Sequence, residues 1–191
     1  INQKISKKIF FYYGWLFGFG FFFSSLYWIT ISLTFDQNFI LFIPIALIII
    51  PSFLALFYAL AIFIFYLFKR KNILSSFFLF SFLIALTEFI RGTILTGFPW
   101  NLIVYSLSKN LDFISILSII GTYSLNLIVI SFFTLPGLFV LRKSRKEIFV
   151  CIVFLFLSIL FTFYGTFQKN KYFNISVKEN PYTIRIIGSN I

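Results

Sequence analysis

The residues best suited to chemistry lie in one stretch, TEFIRGTILTGFPWN, at positions 87–101. Glu88 and Arg91 are three residues apart at the end of an apolar run, so on a helix their side chains share one face. Charged residues inside an apolar segment are costly, which makes them candidates for a functional site. The same pair also fits a simpler interpretation, an ion pair at a helix end in which the arginine reaches towards the lipid headgroups.

The segment that follows the pair, GTILTGFPWN, is too short and interrupted to cross a membrane and too apolar for a free external loop. Pro99 lacks an amide donor, and Gly92 and Gly97 permit tight turns. Irregular backbone at membrane depth is tolerated only where it is buried in protein or lines a cavity. Trp100 and Tyr105 suit the headgroup boundary. The segment therefore predicts a re-entrant or interfacial corner.

The composition restricts the class of protein that can carry this corner. Of the 191 residues, 60% are hydrophobic and only 11% are charged, which is too little polar surface for a soluble globule. The net charge of +11 is spread over short basic clusters between apolar runs, so it indicates membrane topology and not a nucleic-acid partner. With no His and one Cys, no metal site or cofactor is expected. Cys151 lies in an apolar run, and we interpret it as a small apolar residue.

Five apolar stretches are long enough to cross a membrane as helices, which takes about 20 residues each. Pro44 and Pro51 are expected to mark the start and a kink of the second span, and Gly121 to separate an interfacial helix from the fourth. The sequence therefore predicts an all-α polytopic membrane protein. Its spans are predicted at roughly 9–33, 39–68, 73–91, 121–141 and 148–167.

The distribution of basic residues predicts the orientation of these spans. Lys and Arg are frequent in residues 1–8, 69–72 and 142–147 and rare in the loops 33–38 and 92–110. The positive-inside rule places the first group in the cytoplasm and the two loops outside. The tail after the fifth span would also be external; its basic residues are compatible with this if a long translocated domain follows.

The end of the chain has a different pattern. After a polar linker, TIRIIGSNI at 183–191 is β-prone and predicts the first strand of a soluble domain. We therefore expect a transmembrane domain over 1–168 and, over 169–191, an external linker and the first strand of an α/β domain. Because the chain contains no Met, we also expect it to be an internal piece of a longer protein.

The segment TEFIRGTILTGFPWNLIVYS resembles the signature of bacterial apolipoprotein N-acyltransferases, E-x-x-R-G followed by a T-G-[FN]-P-W-x-x-x-G-Y corner. It departs from the pattern at Val104 and Leu107. GWLFGFGFFFSSLYWITIS resembles the third span of the family, and TIRIIGSNI resembles the first strand of its nitrilase-like domain. The matching residues of the signature are Glu88, Arg91, Gly92, Thr96, Gly97, Phe98, Pro99, Trp100, Tyr105 and Ser106.

The resemblance implies a multi-pass enzyme of the bacterial inner membrane with eight spans and a periplasmic nitrilase-like domain before the last. It implies transfer of an acyl chain from a phospholipid to the N-terminal diacylglyceryl-cysteine of a lipoprotein. A Glu-Lys-Cys triad would act through a thioester. All three residues should lie beyond Ile191, so the chain, truncated at both ends, is expected to hold no catalytic residue and to be inactive alone.

By the same resemblance, one group of residues is expected to form a lipid entrance below the soluble domain: Gly97, Phe98, Pro99, Trp100 and Tyr105. A second group is expected to support it structurally: Glu88, Arg91 and Gly92. Two alternatives remain open at this stage. A small transporter or channel subunit would use the charged pair as a gate and would contain more buried polar residues. A membrane anchor for another soluble domain would not need the corner.

Overall fold

The computed structural model describes residues 6–94 and 97–175. Within these ranges the chain is helical, and five helices are long and apolar enough to span a membrane. The predicted all-helical, polytopic membrane fold is confirmed. The predicted strand at 183–191 lies outside the described residues. The long helices are α1 Lys7–Leu26, α2 Ile43–Phe68, α3 Ile73–Thr93, α6 Thr122–Leu141 and α7 Arg145–Phe173; between α3 and α6 lie the short helices α4 Leu111–Ile114 and α5 Leu117–Ile120.

The second span is one continuous helix, as the two prolines indicated. Pro44 stands in the first turn of α2, where its missing amide costs no hydrogen bond, and Pro51 lies inside the helix. At the end of the bundle where α2 begins, one 3₁₀ segment, Tyr27–Thr34, prolongs α1 and another, Gln37–Phe42, precedes α2. The segment before α6 forms the short helices α4 and α5, and Gly121 separates them from α6 with a positive φ of 78°.

Helices α1 and α2 pack closely against each other, and small residues make this possible. Gly14 and Gly18 on α1 lie against Ala59 and Ala55 on α2. A Cβ at Gly18 would be 2.9 Å from the Cα of Ala55, and one at Gly14 would be 2.8 Å from the Cα of Ala59. Between lipid-embedded helices the hydrophobic effect is weak, so close backbone packing of small residues supplies much of the attraction.

The remaining helices complete the bundle through apolar clusters. α3 packs against both α2 and α6, and α7 packs against α6 and α4. Phe77 of α3, Leu135 and Leu138 of α6, and Cys151 of α7 share one buried cluster. Gly165 of α7 lies directly against the backbone of Asp112 in α4. Helix α7 continues to Phe173, a few residues past the predicted domain boundary at 168, and the division of the chain into domains stays a prediction.

The two ends of the bundle differ in charge. The ammonium group of Lys69, just after α2, lies 4.6 Å from the ring centre of Phe10 near the start of α1, so the two helices are antiparallel. The alternation of helix directions brings Lys7 and Lys8, the 69–71 loop and the 142–146 loop to one end, called here the basic end. The segment 97–110 lies at the opposite end, called here the corner end.

We predict that Gly18→Ala weakens the bundle whereas Gly20→Ala does not. A methyl group at position 18 would collide with the α2 backbone, and overpacking of this kind costs about 1–3 kcal/mol. A Cβ at Gly20 meets no atom within 4 Å, so the same substitution there leaves the packing intact. The measurement is the free energy of unfolding in detergent micelles. Equal stability of the two variants would contradict this account of α1–α2 packing.

Candidate functional site

Glu88 is the centre of a buried hydrogen-bond network. Its side chain is 0% exposed, which requires partners for both carboxylate oxygens. The Tyr58 hydroxyl of α2 donates to Oε1 over 2.5 Å, and the Asn126 amide of α6 donates to Oε2. The backbone N–H of Ile103 approaches Oε2 at 3.4 Å. One carboxylate of α3 therefore joins two other helices and the segment after the corner.

Arg91 binds the corner through backbone carbonyl groups. The side chain is 1% exposed, and its Nη1 donates to the carbonyl oxygens of Phe98 at 2.7 Å and Trp100 at 2.8 Å. Nη2 donates to the carbonyl oxygen of Asn101 at 3.3 Å. The guanidinium carbon lies 5.1 Å from the ring centre of Phe22 in α1, within the range of a cation–π interaction. The planar fork of an arginine suits several acceptors at once.

Glu88 and Arg91 do not form an ion pair in contact with each other. Among residues 6–94 and 97–175 the ion pair within 4.0 Å is Lys169 with Asp112. Arg91 is buried under the corner, and its side chain does not reach the surface of the protein. The interpretation of the pair as a helix-end ion pair with an outward-reaching arginine is therefore wrong. Each charge instead binds a different set of polar groups, one helical turn apart.

The backbone of the corner turns where the sequence allows it. Gly97 has a φ of 76°, which glycine adopts without strain, and its N–H donates to the carbonyl of Ile94 at 2.9 Å. The N–H of Phe98 returns to the carbonyl of Arg91 at 3.0 Å. Asn101 has a φ of 59°, and its side-chain amide donates to the Ser25 hydroxyl of α1 at 2.8 Å. The corner is therefore joined to α3 and α1.

Gly92 lies in the last turn of α3 and packs closely against a side chain of α6. A Cβ at this position would overlap the hydroxyl group of Tyr123 at the start of α6, and it would lie 3.7 Å from the Cα of Pro99. The tyrosine ring also packs edge-on against Phe89 with ring centres 5.1 Å apart. The glycine thus lets α6 approach the end of α3 beneath the corner.

Three residues of the network were not singled out from the sequence. Asn126 is fully buried, and its Oδ1 accepts the N–H of Val104 at 2.9 Å while its amide binds Glu88. A lone amide in an apolar span was a usable signal for this residue. Tyr58 and Asn101 gave no such signal. Tyr58 is one of ten tyrosines in the chain, and Asn101 follows Trp100 in a predicted loop, where an asparagine is common.

Two cavities flank the corner. The larger, about 710 Å³, is lined by residues of α1, α2, α3 and α6 and by Asn101–Ile103, Tyr105 and Ser106. The smaller, about 310 Å³, lies between α2 and the corner and is lined by Gly97 and Phe98. Pro99 and Trp100 line neither cavity, and Trp100 is 59% exposed. The role of Gly97, Phe98, Pro99, Trp100 and Tyr105 as a lipid entrance stays a prediction.

We predict that Arg91→Lys destabilises the protein much more than Arg142→Lys. Lysine keeps the charge but cannot present the fork, so buried carbonyls of the corner lose donors, at about 1–3 kcal/mol for each group left unsatisfied. Arg142 is exposed and binds a single carbonyl, that of Phe139. The measurement is chemical unfolding in bicelles. A loss of stability at position 142 as large as that at position 91 would contradict the role of the fork.

The sequence of the chain is similar to known proteins of one family. A family model, the apolipoprotein N-acyltransferase N-terminal domain, matches residues 1–135. The chain is 33% identical over 180 residues to the apolipoprotein N-acyltransferase of Brucella melitensis, covering 93% of this chain and 33% of that protein. It is 42% identical over 118 residues to the enzyme of Rickettsia bellii, covering 61% of this chain and 23% of that protein.

A third relative, the apolipoprotein N-acyltransferase of Rhodopseudomonas palustris, is 37% identical over 130 residues, or 66% of this chain and 24% of that protein. The chain thus spans a third or less of the length of these curated relatives. No solved structure matches it.

Proposed function

The chain belongs to the apolipoprotein N-acyltransferase family, and we propose that it forms the membrane part of an enzyme that acylates lipoproteins. The acyl donor would be a membrane phospholipid, and the acceptor would be the amino group of an N-terminal diacylglyceryl-cysteine. The observation that carries the proposal is the Glu88–Arg91 network. It fixes an irregular corner with an apolar cavity on either side at one end of a helical bundle.

The network supports a positioning role for the charged pair and not a catalytic one. Both side chains are almost completely buried. The two carboxylate oxygens of Glu88 and the two terminal nitrogens of Arg91 bind protein groups, namely a hydroxyl, amides and backbone carbonyls. A general acid or nucleophile must reach its substrate. We therefore propose that Glu88, Arg91 and Gly92 support the corner, and that Gly97–Trp100 and Tyr105 meet the lipid.

The orientation of the proposed enzyme follows from charge. Basic residues gather at the basic end of the bundle, which the positive-inside rule assigns to the cytoplasm of a bacterial inner membrane. The corner end and the tail after α7 would then face the periplasm. A soluble nitrilase-like domain placed there would stand directly above the two cavities, where acyl chains could reach it.

Catalysis is proposed to belong to a domain that follows residue 191, since the relatives are about three times as long as the chain. The complete reading frame is expected to encode a Glu, a Lys and a Cys in that order, acting through a thioester. Splitting the transfer at a cysteine nucleophile divides one difficult step into two easier ones. The test is to express the complete frame and assay acylation of a diacylglyceryl-cysteine peptide in phospholipid vesicles. A folded complete protein that transfers no acyl chain would refute the proposal.

We predict that Trp100→Ala in the complete enzyme lowers kcat/KM for the phospholipid by about tenfold, equivalent to about 1.4 kcal/mol. The exposed indole would be lost from the lipid-facing edge of the corner, where an aromatic side chain presents a large apolar surface. Trp28→Ala is the matched control, because Trp28 is also exposed at the corner end but belongs to the 3₁₀ segment after α1 and not to the corner. Unchanged acylation in Trp100→Ala would remove the lipid-entrance role of this residue.

A further inference from the structure

The basic end of the bundle carries a concentration of positive charge. Nine Lys and Arg side chains of the described residues lie there in the segments 7–8, 69–71 and 142–146, all of them exposed, against one acid, Glu147. The Glu147 carboxylate accepts hydrogen bonds from the N–H and the hydroxyl group of Ser144, at 2.8 and 2.5 Å. Within residues 6–94 and 97–175, the ion pair closer than 4.0 Å or at that distance lies at the other end, between Lys169 and Asp112. The charge of the basic end is therefore not balanced by carboxylates of the described chain.

Five of these bases are held together where α1 begins and α2 ends. They are called here the basic cluster: Lys7, Lys8, Lys69, Arg70 and Lys71. The ammonium group of Lys69 lies 4.6 Å from the ring centre of Phe10 and 4.5 Å from that of Tyr66, which brings the loop after α2 beside the first turn of α1. The Ser76 hydroxyl accepts from the N–H of Arg70 at 3.1 Å and donates to its carbonyl oxygen at 2.8 Å, which fixes the same loop to α3. The fold thus keeps the five charges close to one another.

Short connections keep the bases of this end at the level where the apolar spans end. Four residues, 69–72, join α2 to α3, and three residues, 142–144, join α6 to α7. The guanidinium carbon of Arg142 lies 4.0 Å from the ring centre of Phe139, so this side chain folds back on its own apolar helix. In a bilayer the ends of the apolar spans lie at the headgroup layer. The cations are therefore placed beside lipid headgroups and do not extend into water, where a soluble acidic protein would meet them.

We propose that the basic cluster binds the headgroups of anionic phospholipids, such as phosphatidylglycerol, in the leaflet at the basic end. A base next to an anionic membrane surface strengthens the attraction by about fivefold, equivalent to about 1 kcal/mol. A zwitterionic headgroup is attracted less, because its own ammonium group offsets the charge of its phosphate. The cluster would therefore enrich anionic lipids around α1 and α2, in addition to directing the insertion of these helices. It lies at the opposite end from the corner, and its binding does not require acyl transfer.

The test compares two spin-labelled phospholipids around the complete protein in phosphatidylcholine vesicles. Phosphatidylglycerol and phosphatidylethanolamine carry the same labelled chain, so electron spin resonance reports how much of each is held at the protein surface and only the headgroup differs. Phosphatidylglycerol is expected to associate about fivefold more strongly. Equal association of the two lipids would overturn the proposal and leave the bases to membrane insertion or to an acidic protein partner.

A pair of double variants tests the location of the binding surface. Lys8→Gln combined with Lys71→Gln removes one charge from each side of the basic cluster and leaves the stacked Lys69 in place. Lys109→Gln combined with Lys171→Gln is the matched control, because it removes two exposed lysines from the corner end. The first variant is expected to lose most of the preference for phosphatidylglycerol and the control to keep it. An equal preference in the two variants would overturn the assignment to the basic cluster.

The unaltered protein gives a second test that does not depend on the folding of any variant. Raising the salt concentration from about 0.1 M to about 1 M shortens the Debye length from about 10 Å to about 3 Å. The preference for phosphatidylglycerol is expected to fall with it, because exposed bases attract the headgroup through charge. A preference that persists unchanged at the higher salt concentration would contradict binding by the basic cluster.

Discussion

The hydrogen bonds from Arg91 to the carbonyl oxygens of the corner are the interaction on which the rest of this bundle depends. In a bilayer no water is available to bind backbone carbonyls, so a segment that is neither helix nor strand must find its donors within the protein. The guanidinium supplies them to Phe98, Trp100 and Asn101. Hydrogen bonds from a charged donor contribute about 1.5–3 kcal/mol each, enough to hold an irregular segment against the end of a helix.

A buried guanidinium needs compensation, and Glu88 provides it without touching the arginine. The carboxylate lies one helical turn earlier on α3, so the opposite charges attract each other while each keeps its own hydrogen-bond partners. Through these partners the pair connects α2, α3, α6 and the 3₁₀ segment Ile103–Leu107. The hydrogen bonds of this network thus connect the helices to one another. In lipid, where apolar side chains give little specificity to helix association, such polar contacts determine which helix faces pack.

This arrangement is compatible with the role proposed for the chain, the membrane part of an acyl-transfer enzyme. The fixed corner divides the space at one end of the bundle into two apolar cavities, and Asn101 and Ser25 hold the rim of the larger one. The close α1–α2 packing through Gly14 and Gly18 keeps the wall formed by α1 in place. In the proposed enzyme, a fixed rim beside an apolar cavity would hold the phospholipid in position for a catalytic domain.

The sequence by itself determined the spans, the corner and the family, because apolar length, prolines, glycines and a charged pair are local features that a bilayer constrains strongly. It identified Glu88, Arg91 and Gly97 as special, but it could not assign their partners. Tyr58, Asn126 and Ser25 lie 30, 38 and 76 residues from the groups they bind, and one tyrosine among many carries no local mark. Only the tertiary structure decided that the two charges bind separate partners instead of each other, because burial beneath the corner gives the arginine carbonyl acceptors closer than the carboxylate.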